Sequence, residues 1–156
     1  MCSRVSFSLS SRYGSKMKRD YPDRPIVGVG AIVVDEEQAL VVRRGKEPLK
    51  GHWSIPGGAV ELGETLREAA AREAREETGL IVEAEEVLEV LDSIYRDPEG
   101  RTRFHYVLVD FVCRRLGGEL RAASDVSEAR WITLEDLPEL QMTQTAERVI
   151  KKALKS

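Results

Sequence analysis

Glu73, Glu76 and Glu77 are spaced i, i+3, i+4 in the run LREAAAREAREET, all good helix formers. On a helix this spacing places the three carboxylates within about 100° of one face. Glu68–Arg72 and Arg72–Glu76 stand at i,i+4 and read as ordinary ion pairs. Glu73 differs: its neighbours three and four residues away are Ala69, Ala70, Glu76 and Glu77. Glu77 in turn sees Glu73, Ala74, Leu80 and Ile81. These two carboxylates have no basic partner expected on their own helix and face each other, at a cost of a few tenths of a kcal/mol per contact. A divalent cation converts that repulsion into affinity. Oxygen ligands with no Cys or His nearby select Mg²⁺, with Mn²⁺ able to substitute, over Zn²⁺. The competing reading of the spacing alone is a solvated helix laced with Glu–Arg pairs.

The helix that carries these groups begins at a capping box, Thr65-Leu66-Arg67-Glu68, and stops at Gly79. Gly57 and Gly58 lie just ahead of it, open a short strand through Val60, and permit close backbone approach where a helix N-terminus favours anions. Before them, Ile26–Val34 and Ala39–Arg43 read as strands separated by a turn at 35–37, and residues 44–56 as a polar loop. After the helix, Ile81–Leu91 and Arg103–Cys113 are strand candidates joined by the loop Asp92–Thr102, and Ala129–Thr133 is a short last strand. Ala146, Val149, Ile150, Ala153 and Leu154 make an amphipathic C-terminal helix. The order βββ-α-βββ-α predicts a mixed α/β (α+β) sandwich.

From Gly58 the chain reads Gly58, five residues, Glu64, seven residues, then Arg72-Glu73-Ala74-Arg75-Glu76-Glu77-Thr78-Gly79-Leu80. This resembles the complete Nudix box, GX5EX7REUXEEXGU with U aliphatic, and Trp53-Ser54-Ile55-Pro56-Gly57-Gly58 is similar to the family's lead-in. The resemblance in layout runs from about Ile26 to Leu154. It implies an α/β/α sandwich around a mixed sheet and hydrolysis of a pyrophosphate linkage in a nucleoside diphosphate joined to another group. It also implies Mg²⁺ held by Glu73, Glu76 and Glu77, with the Gly58 carbonyl as an extra ligand, and Arg72 paired with Glu64 to orient the carboxylates. The general base comes either from the box, where Glu76 is the choice, or from the loop 123–128, where Asp125 ranks before Glu128. A solvated acidic turn is the alternative for that loop.

The resemblance also suggests that Arg44, at the end of the second strand, binds phosphate or base. Arg96 and Arg103, with Tyr95 and Arg101, form a local basic cluster in the 92–103 loop that could clamp a distal phosphate or sugar. Subfamily markers are shifted: the proline associated with the ADP-ribose group falls at Arg96, with Pro98 two residues later. Phe104-His105-Tyr106 and Ala129-Arg130-Trp131-Ile132 are similar to small prokaryotic ADP-ribose pyrophosphatase-like proteins, so ADP-ribose or a related nucleotide sugar is the expected substrate. The alternatives are a MutT-like nucleoside triphosphate pyrophosphohydrolase that removes oxidised dNTPs and a silent nucleotide-sensing domain. The retained glutamates argue against the silent domain.

Composition bounds these readings. The 156 residues suit one domain, at 42% hydrophobic, 33% charged and a net charge of −3. That balance points to no nucleic-acid partner, and no apolar run approaches membrane-spanning length. The two cysteines, Cys2 and Cys113, form no disulfide framework and fit a reducing, cytoplasmic setting. Cys113 reads as a small buried residue ending its strand, His52 and His105 as structural, and Trp53 and Trp131 as packing anchors. A homodimer is compatible with the family. Residues 1–20 are Ser-rich and basic, and read as a disordered tail, a transit segment or an early start ahead of Met17. The domain is expected over 21–156.

Overall fold

The computed structural model describes residues 17–155, so the expectations for residues 1–16 lie outside the described residues. Strand β1 (Ile26–Asp35) is the central element. It pairs in parallel with β6 (Thr102–Gly118), from Ile26 opposite Tyr106 to Val34 opposite Arg114. On its other side it runs antiparallel to β4 (Gly57–Ala59) and, at its end, to β2 (Gln38–Arg44). The short β3 (Trp53–Ser54) and β7 (Val126–Ile132) flank β2, and β5 (Leu80–Arg96) closes the far edge beside β6. The sheet is therefore mixed, in the order β3-β2-β1-β6-β5, with β4 on β1 and β7 on β2.

Side-chain alternation along β1 sends Val29, Ala31 and Val33 to one face and Ile32 to the other. Helix α1 (Leu66–Thr78) covers the first face with Ala69, Ala70 and Ala74, packed beside Phe111. Alanines let the helix axis approach the sheet closely, which brings its acidic face within reach of β4. Helix α2 (Gln144–Lys155) covers the second face through Val149, Ile150 and Ala153. The expected α/β/α sandwich is present, with α1 capped by Thr65 and Glu68 reciprocally and closed at Gly79.

Several expected boundaries change. The 92–102 loop is mostly strand, and only 97–101 connects β5 to β6. Pairs such as Asp92 with Val107 and Ile94 with His105 continue the ladder, and Asp97 holds the turn by accepting the Glu99 and Arg101 N–H groups at 3.0 and 2.9 Å. Cys113 lies inside β6 rather than at its end, with burial pushing its thiol up to about 12. A 3₁₀ turn at Leu134–Glu139, unread in the sequence, seats Leu137 against β2 and α2. Residues 17–20 are exposed, yet Asp20 accepts a hydrogen bond from Arg103 Nε at 2.9 Å and the Tyr21 N–H bonds the Arg103 carbonyl at 2.8 Å.

Candidate active site

One residue organises the acidic face of α1. The Arg72 guanidinium donates Nε to Glu64 Oε2 at 2.6 Å and Nη2 to Glu64 Oε1 at 2.9 Å, a two-point fork. Nη2 also bonds the Ala59 carbonyl at 3.1 Å, tying α1 to β4. Nη1 donates to Glu73 Oε1 at 2.9 Å and to Glu76 Oε2 at 3.2 Å. Arg72 is thereby held well above its ordinary pKa, first by Glu64, and Glu64 is held below the usual carboxylate range by the same contact. The expectation that Glu73 lacks a basic neighbour on its helix is corrected: the adjacent residue, Arg72, reaches it. The expected Glu68–Arg72 pair gives way to the cap, where Glu68 Oε2 accepts the Thr65 N–H at 2.9 Å.

Glu73 and Glu77 meet the glycines of β4. A Cβ on Gly58 would sit 2.5 Å from Glu73 Oε1, so only glycine lets strand and carboxylate approach this closely. The Gly57 N–H donates to Glu77 Oε2 at 3.1 Å. Burial, followed by the charge of Glu73, pushes Glu77 up to about 8. Glu73 is raised as well, mainly by burial, with Arg72 opposing. The donor set is all hard oxygen, and Glu77 carries repulsion that a bound cation would remove. These residues therefore fit a divalent ion. Among the described residues no three acidic, His or Cys side chains already converge into a cage, because Arg72 Nη1 lies between Glu73 and Glu76. A cation competes with that one nitrogen, while Nε and Nη2 stay on Glu64.

The carboxylates open into a cleft of about 730 Å³ that Gly58, Arg72, Glu73, Glu76 and Glu77 help line. Arg44 also lines it: Nε is anchored on the Pro48 carbonyl at 2.6 Å, and its charge acts on Glu77. Asp125 lines the same cleft and acts on Glu77 with the opposite sign, while Lys46 Nζ pairs with it at 2.7 Å. Glu128, the second choice of base, faces away and pairs with Arg43 at 3.3 Å.

Arg96 and Arg103, expected to bind substrate, are not among the residues lining the cleft. Arg96 Nη1 bonds Thr102 Oγ1 at 3.2 Å across the β5–β6 ladder, and Arg103 holds Asp20 and lies over the Phe104 ring. The reason is register: extending the ladder to Arg96–Thr102 makes both strand residues, their heads spent on neighbours. Neither His52, His105, Trp53 nor Trp131 lines the cleft.

The sequence reading missed Arg19, Lys46, Tyr106 and Asp110, all of which line the cleft. Asp110 had one signal, an acid inside the apolar run VLVDFVC, a residue type depleted in strands.

Comparison with known proteins agrees with this geometry. The NUDIX domain profile matches residues 24–153. An ADP-ribose pyrophosphatase from Methanocaldococcus jannaschii is 39% identical over 147 residues, 90% of this chain and 83% of that protein. An 8-oxo-dGDP phosphatase, NUDT18, from Mus musculus is 31% identical over 108 residues, 67% of this chain but 31% of that longer protein. The crystal structure of a MutT NUDIX hydrolase from Burkholderia pseudomallei superposes with a TM-score of 0.70 at 29% identity, covering 83% of this chain and 98% of that one. Enzymes of this family act on small nucleotides and generally depend on divalent metal ions. With its full box folded into an Arg72-braced acidic face beside Gly58, the chain belongs to the NUDIX family and is a Nudix hydrolase.

Proposed function

We propose that residues 21–156 form a Mg²⁺-dependent pyrophosphohydrolase that cleaves ADP-ribose, or a related nucleotide sugar, into AMP and a sugar phosphate. The observation that carries this reading is the partly buried Glu73–Glu77 pair against Gly57 and Gly58, opening into the same cleft as Arg44. Its substrate side is supported by the M. jannaschii relative, matched over most of both chains.

Glu73, Glu76, Glu77 and the Gly58 carbonyl would hold the metal, Mg²⁺ with Mn²⁺ able to substitute. When bound, the ion supplies charge neutralisation at the phosphate oxygens and acidifies a coordinated water. Arg72, locked by Glu64, keeps Glu73 and Glu76 in place. Arg44 offers its remaining guanidinium nitrogens to a phosphate. Asp125, poised by Lys46 at the cleft wall, takes the proton of the attacking water, with Glu76 as the alternative base. The protein's share of catalysis is positioning and charge.

The expected setting is cytoplasmic: Cys113 is a buried free thiol, and no helix among the described residues is long and apolar enough to cross a membrane. The outer edge of β5, with Val87, Val90 and Ile94 exposed, is the surface a homodimer would use. The test of the substrate reading is product chromatography with Mg²⁺. AMP and ribose 5-phosphate from ADP-ribose support it. Preference for an oxidised dNTP, releasing pyrophosphate, moves the assignment to the second reading, which the likeness to the MutT NUDIX hydrolase of B. pseudomallei supports.

A further inference from the structure

Among the described residues, four basic side chains line the cleft: Arg19, Arg44, Lys46 and Arg72. Three are engaged. Arg72 is committed to Glu64, Glu73 and Glu76, Lys46 to Asp125, and Arg44 by one nitrogen to the Pro48 carbonyl. Arg19 makes no hydrogen bond or ion pair with any described residue, and it is exposed. All of its N–H donors are open to a ligand.

A surface arginine on a loose chain would have no fixed place, but the chain that carries this one is fastened. Tyr21 donates its N–H to the Arg103 carbonyl at 2.8 Å and its hydroxyl to Asp97 Oδ2 at 2.9 Å. The Arg101 guanidinium lies over its ring at 5.0 Å. Tyr21 does this at a φ of 52°, a left-handed backbone that a bulky side chain adopts only where its surroundings impose it. Asp20 adds the exposed pair with Arg103. Residues 17–21 thus form a strap tied to the β5–β6 turn at Tyr21, and its other part brings Met17 and Arg19 to the cleft. Charge locates Arg19 further. It joins Arg72, more weakly, in favouring the ionised form of Glu73, as Arg44 does for Glu77. One free arginine is felt at each of the two carboxylates.

We propose that Arg19 is a second phosphate-binding arginine of this cleft: it takes the phosphate on the Glu73 side of a bound diphosphate while Arg44 takes the one on the Glu77 side. This rests on the reading above that a nucleoside diphosphate lies over the acidic face. Two phosphates joined through one oxygen each carry anionic oxygens beside carboxylates that repel them, and Arg44 serves only one. A guanidinium answers the other with a fork of charged hydrogen bonds. Tyr21 is a positioning residue, acting on the substrate only through Arg19.

The experiment is calorimetric titration of α,β-methylene-ADP, a nucleoside diphosphate whose carbon bridge resists cleavage, with Mg²⁺ into wild type, R19A, R96A and Y21F, alongside ADP-ribose turnover. R19A should bind it about tenfold more weakly, the scale of one charged hydrogen bond. R96A removes the same charge outside the cleft and should change the affinity about twofold or less. Y21F should weaken binding about threefold by loosening the strap, and should add no further loss to R19A. Nucleotide-free R19A should bind Mn²⁺ at least as tightly as wild type, since a positive charge acting on Glu73 is gone. Unchanged methylene-ADP affinity in R19A overturns the proposal. An equal loss in R96A also overturns it, by making the effect one of net charge, as does weaker Mn²⁺ binding by R19A, by placing its role at the metal. Additive losses in the double variant overturn the part given to Tyr21, and no binding by the wild type overturns the whole. Weaker R19A binding without ADP-ribose hydrolysis by the wild type rejects the substrate reading and keeps this inference; hydrolysis with unchanged R19A binding does the reverse.

Discussion

Glu77 and Asp110 are both carboxyls in one cleft, both raised by burial, and they are raised for different ends. Glu77 is pushed to about 8 with a second carboxylate, Glu73, acting on it directly. Asp110 reaches about 6 beside Glu89, whose charge is answered by Arg148. Without a cation the charge of Glu73 helps keep a proton on Glu77 at neutral pH; a divalent ion takes that proton's place, so the pair is a reservoir of cation affinity. At Asp110 burial is the larger cause, and the charge of Glu89 adds to it against the weaker pull of Arg148. The same physical cause thus readies one end of the cleft for a cation and leaves at the other a buried acid whose proton is held by its surroundings.

The sharpest break in this comparison is Glu77→Gln. Removing one charge of the pair should lower kcat on ADP-ribose about 10³-fold, since several kcal/mol of metal-borne stabilisation is lost. The melting temperature should not fall, because the like-charge contact disappears with it. Early melting would show that the acidic face is structural. Glu77 is the cleaner choice than Glu73, whose replacement also loses the charged bond to Arg72.

Arg44→Ala should raise KM about 10- to 100-fold with kcat little changed, the signature of lost phosphate binding, read from steady-state kinetics. An unchanged KM would leave Arg44 as a brace for the Pro48 loop.

The contrast also has a stability readout at Asp110. Its folded-state pKa is raised from 3.8 to about 6, so the native state keeps a proton that the unfolded state loses between those values. Stability should therefore fall as pH rises from about 4 to 6, by at most about 1.4 kcal/mol per unit, and level off above. D110N should flatten that slope and melt higher than wild type at neutral pH, measured by thermal denaturation across pH. A D110N protein that melts lower at neutral pH would mean that the carboxylate is itself stabilising.

The smallest effects are expected at the residues the structure removes from the cleft. Arg96→Ala and Arg103→Ala should change kcat/KM by about twofold or less, and the loss of the exposed Arg103–Asp20 pair should cost about 0–1 kcal/mol. A larger kinetic loss would return the β5–β6 turn to the substrate.

What was legible was what is local. The α1 cap, its stop at Gly79 and the i, i+3, i+4 carboxylates follow from helical periodicity and from backbone preferences within a few residues, and the box resemblance added Gly58 and Glu64. The contact between Arg72 and Glu73 escaped the spacing argument because adjacent residues do not share a helix face. They meet because Glu64 and Ala59 pull the guanidinium across. The 92–103 loop was misread because its Pro and Gly mark only the tip, while ladder pairing extends the flanking strands over polar residues that no periodicity singles out.

The sequence by itself determined the acidic helix, its caps and the elements of the sandwich, since propensity and pattern act over one or two turns of chain. Only the tertiary structure decided that Gly30 faces Asp110, that Arg44 and Asp125 close on Glu77, and that Arg103 turns to Asp20. Each of these depends on which strands pair and in what register. That choice is made by the whole core at once, because a one-residue slip would send every side chain to the opposite face.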